Sequence, residues 1–89
     1  MSKAKILLVD DHPMLRKGVA QLISLEDNLE VVAEANSGDE AITLAVKHNP
    51  DLILLDLNMK GLSGIDTLSA LKRTGIKSKV VIFSVSDSE

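Results

Sequence analysis

The chain has no cysteine, no tryptophan and no tyrosine, and Phe83 is its only aromatic residue. Without cysteine there is neither a disulfide framework nor a thiolate metal site. Without aromatic bulk, the core has to be aliphatic. No apolar run approaches the roughly 20 residues that a bilayer-spanning helix needs, and the N-terminus carries no signal-peptide core; Met1-Ser2-Lys3 leading straight into a strand reads as a cytosolic start. An excess of positive charge is also missing. The net charge is −3 and the sequence pI about 5.3, so this segment is not expected to bind nucleic acid by itself, because phosphate backbones demand a basic patch. Neither GxxxxGK[ST] nor a GxGxxG after the first strand occurs, which excludes the P-loop and dinucleotide classes. What is present is an 89-residue chain of ordinary hydrophobic content, 45%, enough for one domain with a modest core.

Strand and helix signals alternate, which predicts βαβ units and a parallel sheet. Lys5 to Val9 reads as the first strand. Pro13 suits the first turn of a helix capped by Asp11 or His12, and Leu15, Val19, Leu22 and Ile23 fall on one face of it. Met14 and Leu15 read as core and rim. Leu29 to Ala35 alternates, with Glu30, Val32 and Glu34 sharing a face, so it is expected at a sheet edge. Ser37-Gly38-Asp39-Glu40 is a capping-box pattern; the helix it opens ends near His48-Asn49, before Pro50. His48 there complements the helix dipole. Leu52 to Leu55 is apolar throughout and reads as a central strand covered on both faces. Ser63-Gly64-Ile65-Asp66 offers another cap, for a helix marked by Ile65, Leu68 and Leu71 that stops at Gly75. Val80 to Phe83 is the fourth strand.

Three of these strands run into oxygen-bearing residues: the first into Asp10-Asp11, the third into Asp56, the fourth into Ser84. Parallel strands of an open α/β sheet bring their carboxyl ends to one edge, where ligands bind. Three carboxylates and a hydroxyl should therefore converge. Like charges so placed repel one another and call for a hard divalent cation. Strand-end aspartates on their own often only cap loops, and it is the set that carries the functional reading. His12 is open to a role as ligand or phosphohistidine, but reads more simply as an exposed residue at a helix start.

With "ILLVDDHPMLRKGV", "PDLILLDLNMKGLSGIDTL" and "FSVSD", the chain resembles the CheY-like receiver domain of two-component response regulators, and within it the nitrate/nitrite regulators of the NarL/NarP type. The resemblance covers nearly all of residues 1–89. It implies a flavodoxin-like doubly wound parallel sheet of order 2-1-3-4. It also implies Asp56 as phosphoryl acceptor and Mg²⁺ held by Asp10, Asp11, Asp56 and the backbone carbonyl of Asn58. Ser84 becomes the hydroxyl that contacts the phosphoryl group. The implied donor is a sensor histidine kinase, the implied location the cytoplasm, and the implied output a DNA-binding domain that this segment lacks. The role is that of a phosphoryl acceptor assisting its own phosphorylation and hydrolysis, rather than of a turnover enzyme.

The resemblance stops after the fourth strand. The family's last helix, strand and helix have no counterpart here, and neither does the lysine that ends its fifth strand; Lys60 is not expected to replace it. The chain reads as cut, and the bare fourth strand suggests a homodimer formed by edge pairing or segment exchange. The rival reading is accordingly a self-associating fragment that does not accept phosphate. A haloacid-dehalogenase-type phosphatase is excluded, because it would need an aspartate where Asn58 stands.

Overall fold

A computed structural model describes residues 3–56 and 64–83. Four strands, β1 (Ala4–Val9), β2 (Leu29–Ala35), β3 (Leu52–Asp56) and β4 (Lys79–Phe83), alternate with three helices, α1 (Pro13–Ser24), α2 (Gly38–His48) and α3 (Gly64–Arg73). The sheet is parallel with order β2-β1-β3-β4, the doubly wound arrangement expected.

The helix ends follow from local chemistry. Ser37 Oγ accepts from Glu40 N at 3.1 Å, and Glu40 Oε1 reaches back to Asn36 N at 2.8 Å, so the capping box satisfies two amides that the first turn of α2 leaves without intrahelical partners. At the other end Asn49 takes a left-handed conformation (φ 47°), which its short polar side chain tolerates. Gly75, at φ 78°, stops the chain after α3 where a Cβ would be strained. Asp51 ties three strand starts together. Its Oδ2 and its N–H bond the Lys5 backbone at 2.7 and 2.8 Å, and its carbonyl accepts from Lys79 N at 3.0 Å.

The two sheet faces are unequally covered. Leu7, Val9, Ile53 and Leu55 point to the side covered by α2 and α3, and with Ala35, Ala41, Ala45 and Leu71 they form a fully buried core. Alanines at the contact let α2 lie close to the sheet, and each large aliphatic buried there contributes roughly 1.5–3 kcal/mol. On the opposite side α1 is the one helix among the described residues. Leu52 and Leu54 are only half-buried there, so β3 is central but not fully covered on both faces. Leu22 is 67% and Met14 88% exposed. Both depart from the sequence expectation, because one helix cannot bury its whole apolar stripe against a sheet it only partly spans; Ile23 is the buried member.

β2 departs in a second way. Ile6 pairs with Val31 but Leu7 pairs with Ala33, so Val32 is an extra residue, a bulge. Paired residues of parallel strands share a face. The bulge therefore puts Glu30 on the face of Lys5 and Leu7, and Glu34 on the face of Ile6 and Leu8. The two glutamates do not share a face, although β2 is indeed an edge strand. Turned toward α1, Glu34 accepts from Arg16 Nε at 3.0 Å.

Candidate metal and phosphoryl site

β1 and β3 are adjacent, with Val9 opposite Leu55, so the residues that follow, Asp10 and Asp56, leave the sheet side by side. Asp10 N donates to Ala35 O at 3.0 Å, which fixes its backbone against β2. Its side chain folds over the start of α1: Oδ1 accepts from His12 N at 2.9 Å, an Asx-type turn. The carbonyl of Asp10 accepts from Arg16 Nη1 at 2.7 Å. Arg16 thereby clamps the β1–α1 turn while its Nε holds Glu34.

Asp10 and Asp56 are buried, at 0% and 1% exposed, and Asp11 is mostly covered. One ligand atom from each of Asp10, Asp11, His12 and Asp56 lies within 4.8 Å of every other. The three carboxylates read from the sequence are thus brought together at the carboxyl edge of the sheet. Asn58 and Ser84 lie outside the described residues, as do Ser63 and Lys60.

The sequence reading weighed His12 as a ligand but set that below a plain exposed residue at a helix start, and so left it out of this group. It is exposed and it precedes α1, as expected, but its side chain makes no cap bond. Instead Nδ1 sits 3.1 Å from Asp10 Oδ1, 3.0 Å from Asp11 Oδ1 and 3.6 Å from Asp56 Oδ2. The hydrogen bond to Asp10 is the main cause that raises the imidazole pKa above its ordinary value. Partial desolvation opposes this, and the charges of Asp11, Asp10 and Asp56 add to it. The signal available in the sequence was adjacency alone: an Asp-Asp-His run at a strand end leaves the imidazole little choice of neighbours. Arg16 was also missed, because its partner Glu34 depends on the bulge.

The group suits a divalent metal. Its donors are hard carboxylate oxygens, and Asp10 Oδ2 is buried with no hydrogen-bond donor among the described residues, a costly state for a charged oxygen unless a cation meets it.

Comparison with known proteins agrees with this geometry. The response regulator receiver domain model matches residues 6–89. The nitrate/nitrite response regulator protein NarP of Escherichia coli is 54% identical over 84 residues, covering 94% of this chain and 39% of that protein. The signal receiver domain of the putative response regulator NarL from Mycobacterium tuberculosis superposes with a TM-score of 0.90 at 34% identity, over 99% of this chain and 71% of that one. A CheX-CheY-BeF3-Mg complex from Borrelia burgdorferi superposes at 0.87 with 26% identity, over 99% and 66%. The chain spans about two fifths of the length of the curated nitrate/nitrite regulators it matches. Sequence, fold and acid cluster agree, and the chain belongs to the response regulator receiver domain family.

Proposed function

We propose that this domain accepts a phosphoryl group on Asp56 in a Mg²⁺-dependent reaction, from the phosphohistidine of a sensor histidine kinase, within a cytoplasmic nitrate/nitrite-responsive transcriptional regulator. The observation that carries the reading is the buried Asp56 carboxylate, grouped with Asp10 and Asp11 at the carboxyl edge of the sheet. A carboxylate oxygen of Asp56 attacks phosphorus. The new P–O bond gives an acyl phosphate, the P–N bond of the donor breaks, and the departing imidazole takes up a proton. Such transfers are mostly positioning and charge neutralisation. Asp10, Asp11, Asp56 and the Asn58 carbonyl are the proposed holders of Mg²⁺, which when bound offsets the charge of the phosphoryl oxygens. Ser84 is the proposed hydroxyl partner of that group. The CheY complex with BeF3 and Mg supports the metal assignment for a protein of the same fold. DNA binding and the transcriptional output belong to a part of the regulator beyond this segment.

The test is intact mass after incubation with acetyl phosphate and Mg²⁺. One phosphoryl increment is expected in the parent, and none in Asp56→Asn or with chelator. An increment that survives in Asp56→Asn refutes the acceptor assignment.

A second reading concerns assembly, and β4 favours it. Val81 and Ile82 are each 42% exposed, on an edge strand. A cavity of about 200 Å³ opens beside them, lined by Leu68, Leu71, Ile76 and Val80 among others. Apolar strand edges of this kind invite pairing, and a homodimer through β4 or by segment exchange is the proposed consequence. If the segment also fails to take phosphate, self-association would be its main behaviour.

A further inference from the structure

His12 is the one member of the acid group that is not a hard oxygen donor. Its Nδ1 lies 3.0 Å from Asp11 Oδ1, 3.1 Å from Asp10 Oδ1 and 3.6 Å from Asp56 Oδ2, so the ring nitrogen reaches the oxygens of all three carboxylates. Its donor atom falls within the same 4.8 Å group as theirs. The Asp10 carboxylate turned toward it is fully buried, and Oδ2 of that carboxylate has no donor among the described residues. A cation is therefore wanted there, and a nitrogen ligand stands ready beside it. We infer that His12 is a metal-selecting ligand, which makes this site prefer a first-row transition-metal dication such as Mn²⁺ over Mg²⁺.

The chemistry is one of ligand type. Mg²⁺ takes oxygen ligands and keeps several waters, so an imidazole adds little to its binding. First-row transition-metal dications accept an imidazole nitrogen, with an affinity that rises from Mn²⁺ to Cu²⁺, so Mn²⁺ is the mildest test of the selection. Over half of the His12 side chain is exposed, at 56%, so the ring can turn Nδ1 to a metal while a proton stays on Nε2 facing water. Metal-bound histidine in this neutral form is the usual state. No backbone change is needed, since the fold already delivers Nδ1 to the carboxylates. The inference rests on the acid site being a cation site, the same reading that underlies the proposed function.

The experiment compares Mn²⁺ and Mg²⁺ binding by calorimetry at one fixed pH in the parent and in His12→Ala. Loss of the nitrogen ligand is expected to weaken Mn²⁺ by at least about tenfold, the scale at which metal-site groups act, and to leave Mg²⁺ nearly unchanged. Electron paramagnetic resonance of the Mn²⁺-loaded parent is expected to show a nitrogen coupling that His12→Ala lacks. This second readout does not depend on the stability of the variant. A parent that binds Mg²⁺ but shows no nitrogen coupling overturns this inference alone, as does an equal loss of both metals in His12→Ala. A parent that binds neither metal overturns the cation-site reading and this inference with it.

Discussion

Asp10→Asn should make the metal-free domain more stable. Asp10, Asp11 and Asp56 each place a carboxylate oxygen within 4.8 Å of the others; at an effective dielectric constant of about 20, two unit charges at that separation repel by about 3.5 kcal/mol. The amide keeps the shape of the side chain and removes two such repulsions. Its NH₂ group also replaces an acceptor that has no donor among the described residues, the buried Oδ2. Against this, the bond from His12 N–H to Oδ1 becomes a neutral one, a loss of about 1 kcal/mol, and solvent reaching His12 and Asp11 weakens the repulsion itself. A net gain of about 2 kcal/mol is expected near pH 8, or very roughly 10 °C in Tm for a domain of this size. The gain should shrink near pH 5.5, where His12 is protonated and the Asp10 charge attracts it. Mg²⁺ should reverse the order, because a ligand at a hundred times its Kd adds about 2.7 kcal/mol to the form that binds it and the variant has lost a holder. Urea unfolding in chelator and in Mg²⁺, at both pH values, reads all four arms. An Asp10→Asn protein less stable than the parent near pH 8 without metal would refute the view that these carboxylates are held together against their mutual repulsion.

Three further predictions follow from named contacts. The His12 imidazole should titrate above its ordinary value in the metal-free protein, followed by its ring proton shifts. Because the folded pKa is raised, its contribution to stability is complete below the unfolded value of about 6.5 and fades as pH rises through the raised value; added Mg²⁺ should bring the titration down. Ser37→Ala removes the bond to Glu40 N and should cost about 1 kcal/mol in urea unfolding while leaving phosphorylation of Asp56 intact, since the bonds of the cap run among Asn36, Ser37 and Glu40 and touch no member of the acid group. Ile82→Lys should abolish any concentration-dependent association seen by sedimentation velocity, because it charges the exposed edge of β4; an unchanged dimer would place the contact elsewhere.

Much of the fold was legible because its signals are local. The apolar runs at β1 and β3 are too short for helices, and the capping box before α2 and the glycine after α3 mark helix ends through backbone geometry that only certain residues provide. Alternation of strand and helix then limits the architecture to a parallel sheet, which places Asp10, Asp11 and Asp56 at one edge before any distance is known. The errors arose where a residue's face depends on something non-local. Val32 reads as one more residue of an alternating strand, yet it is bulged, and every residue after it changes side relative to those before. Leu22 and Met14 fit the apolar stripe of α1 but find no second layer to enter among the described residues. The first of these departures reaches the site. The bulge turns Glu34 toward α1, Glu34 positions Arg16, and Arg16 holds the carbonyl of Asp10. The turn that delivers Asp10 and His12 to the acid group is therefore braced from the outer edge of the sheet, by a single inserted residue whose effect no pattern of hydrophobicity announces. Were Val32 instead to pair with Leu7 in a regular ladder, Glu34 would fall opposite Val9 on the other face and Arg16 would lose its partner, so the geometry of the carboxylates depends on a strand that contributes no ligand of its own.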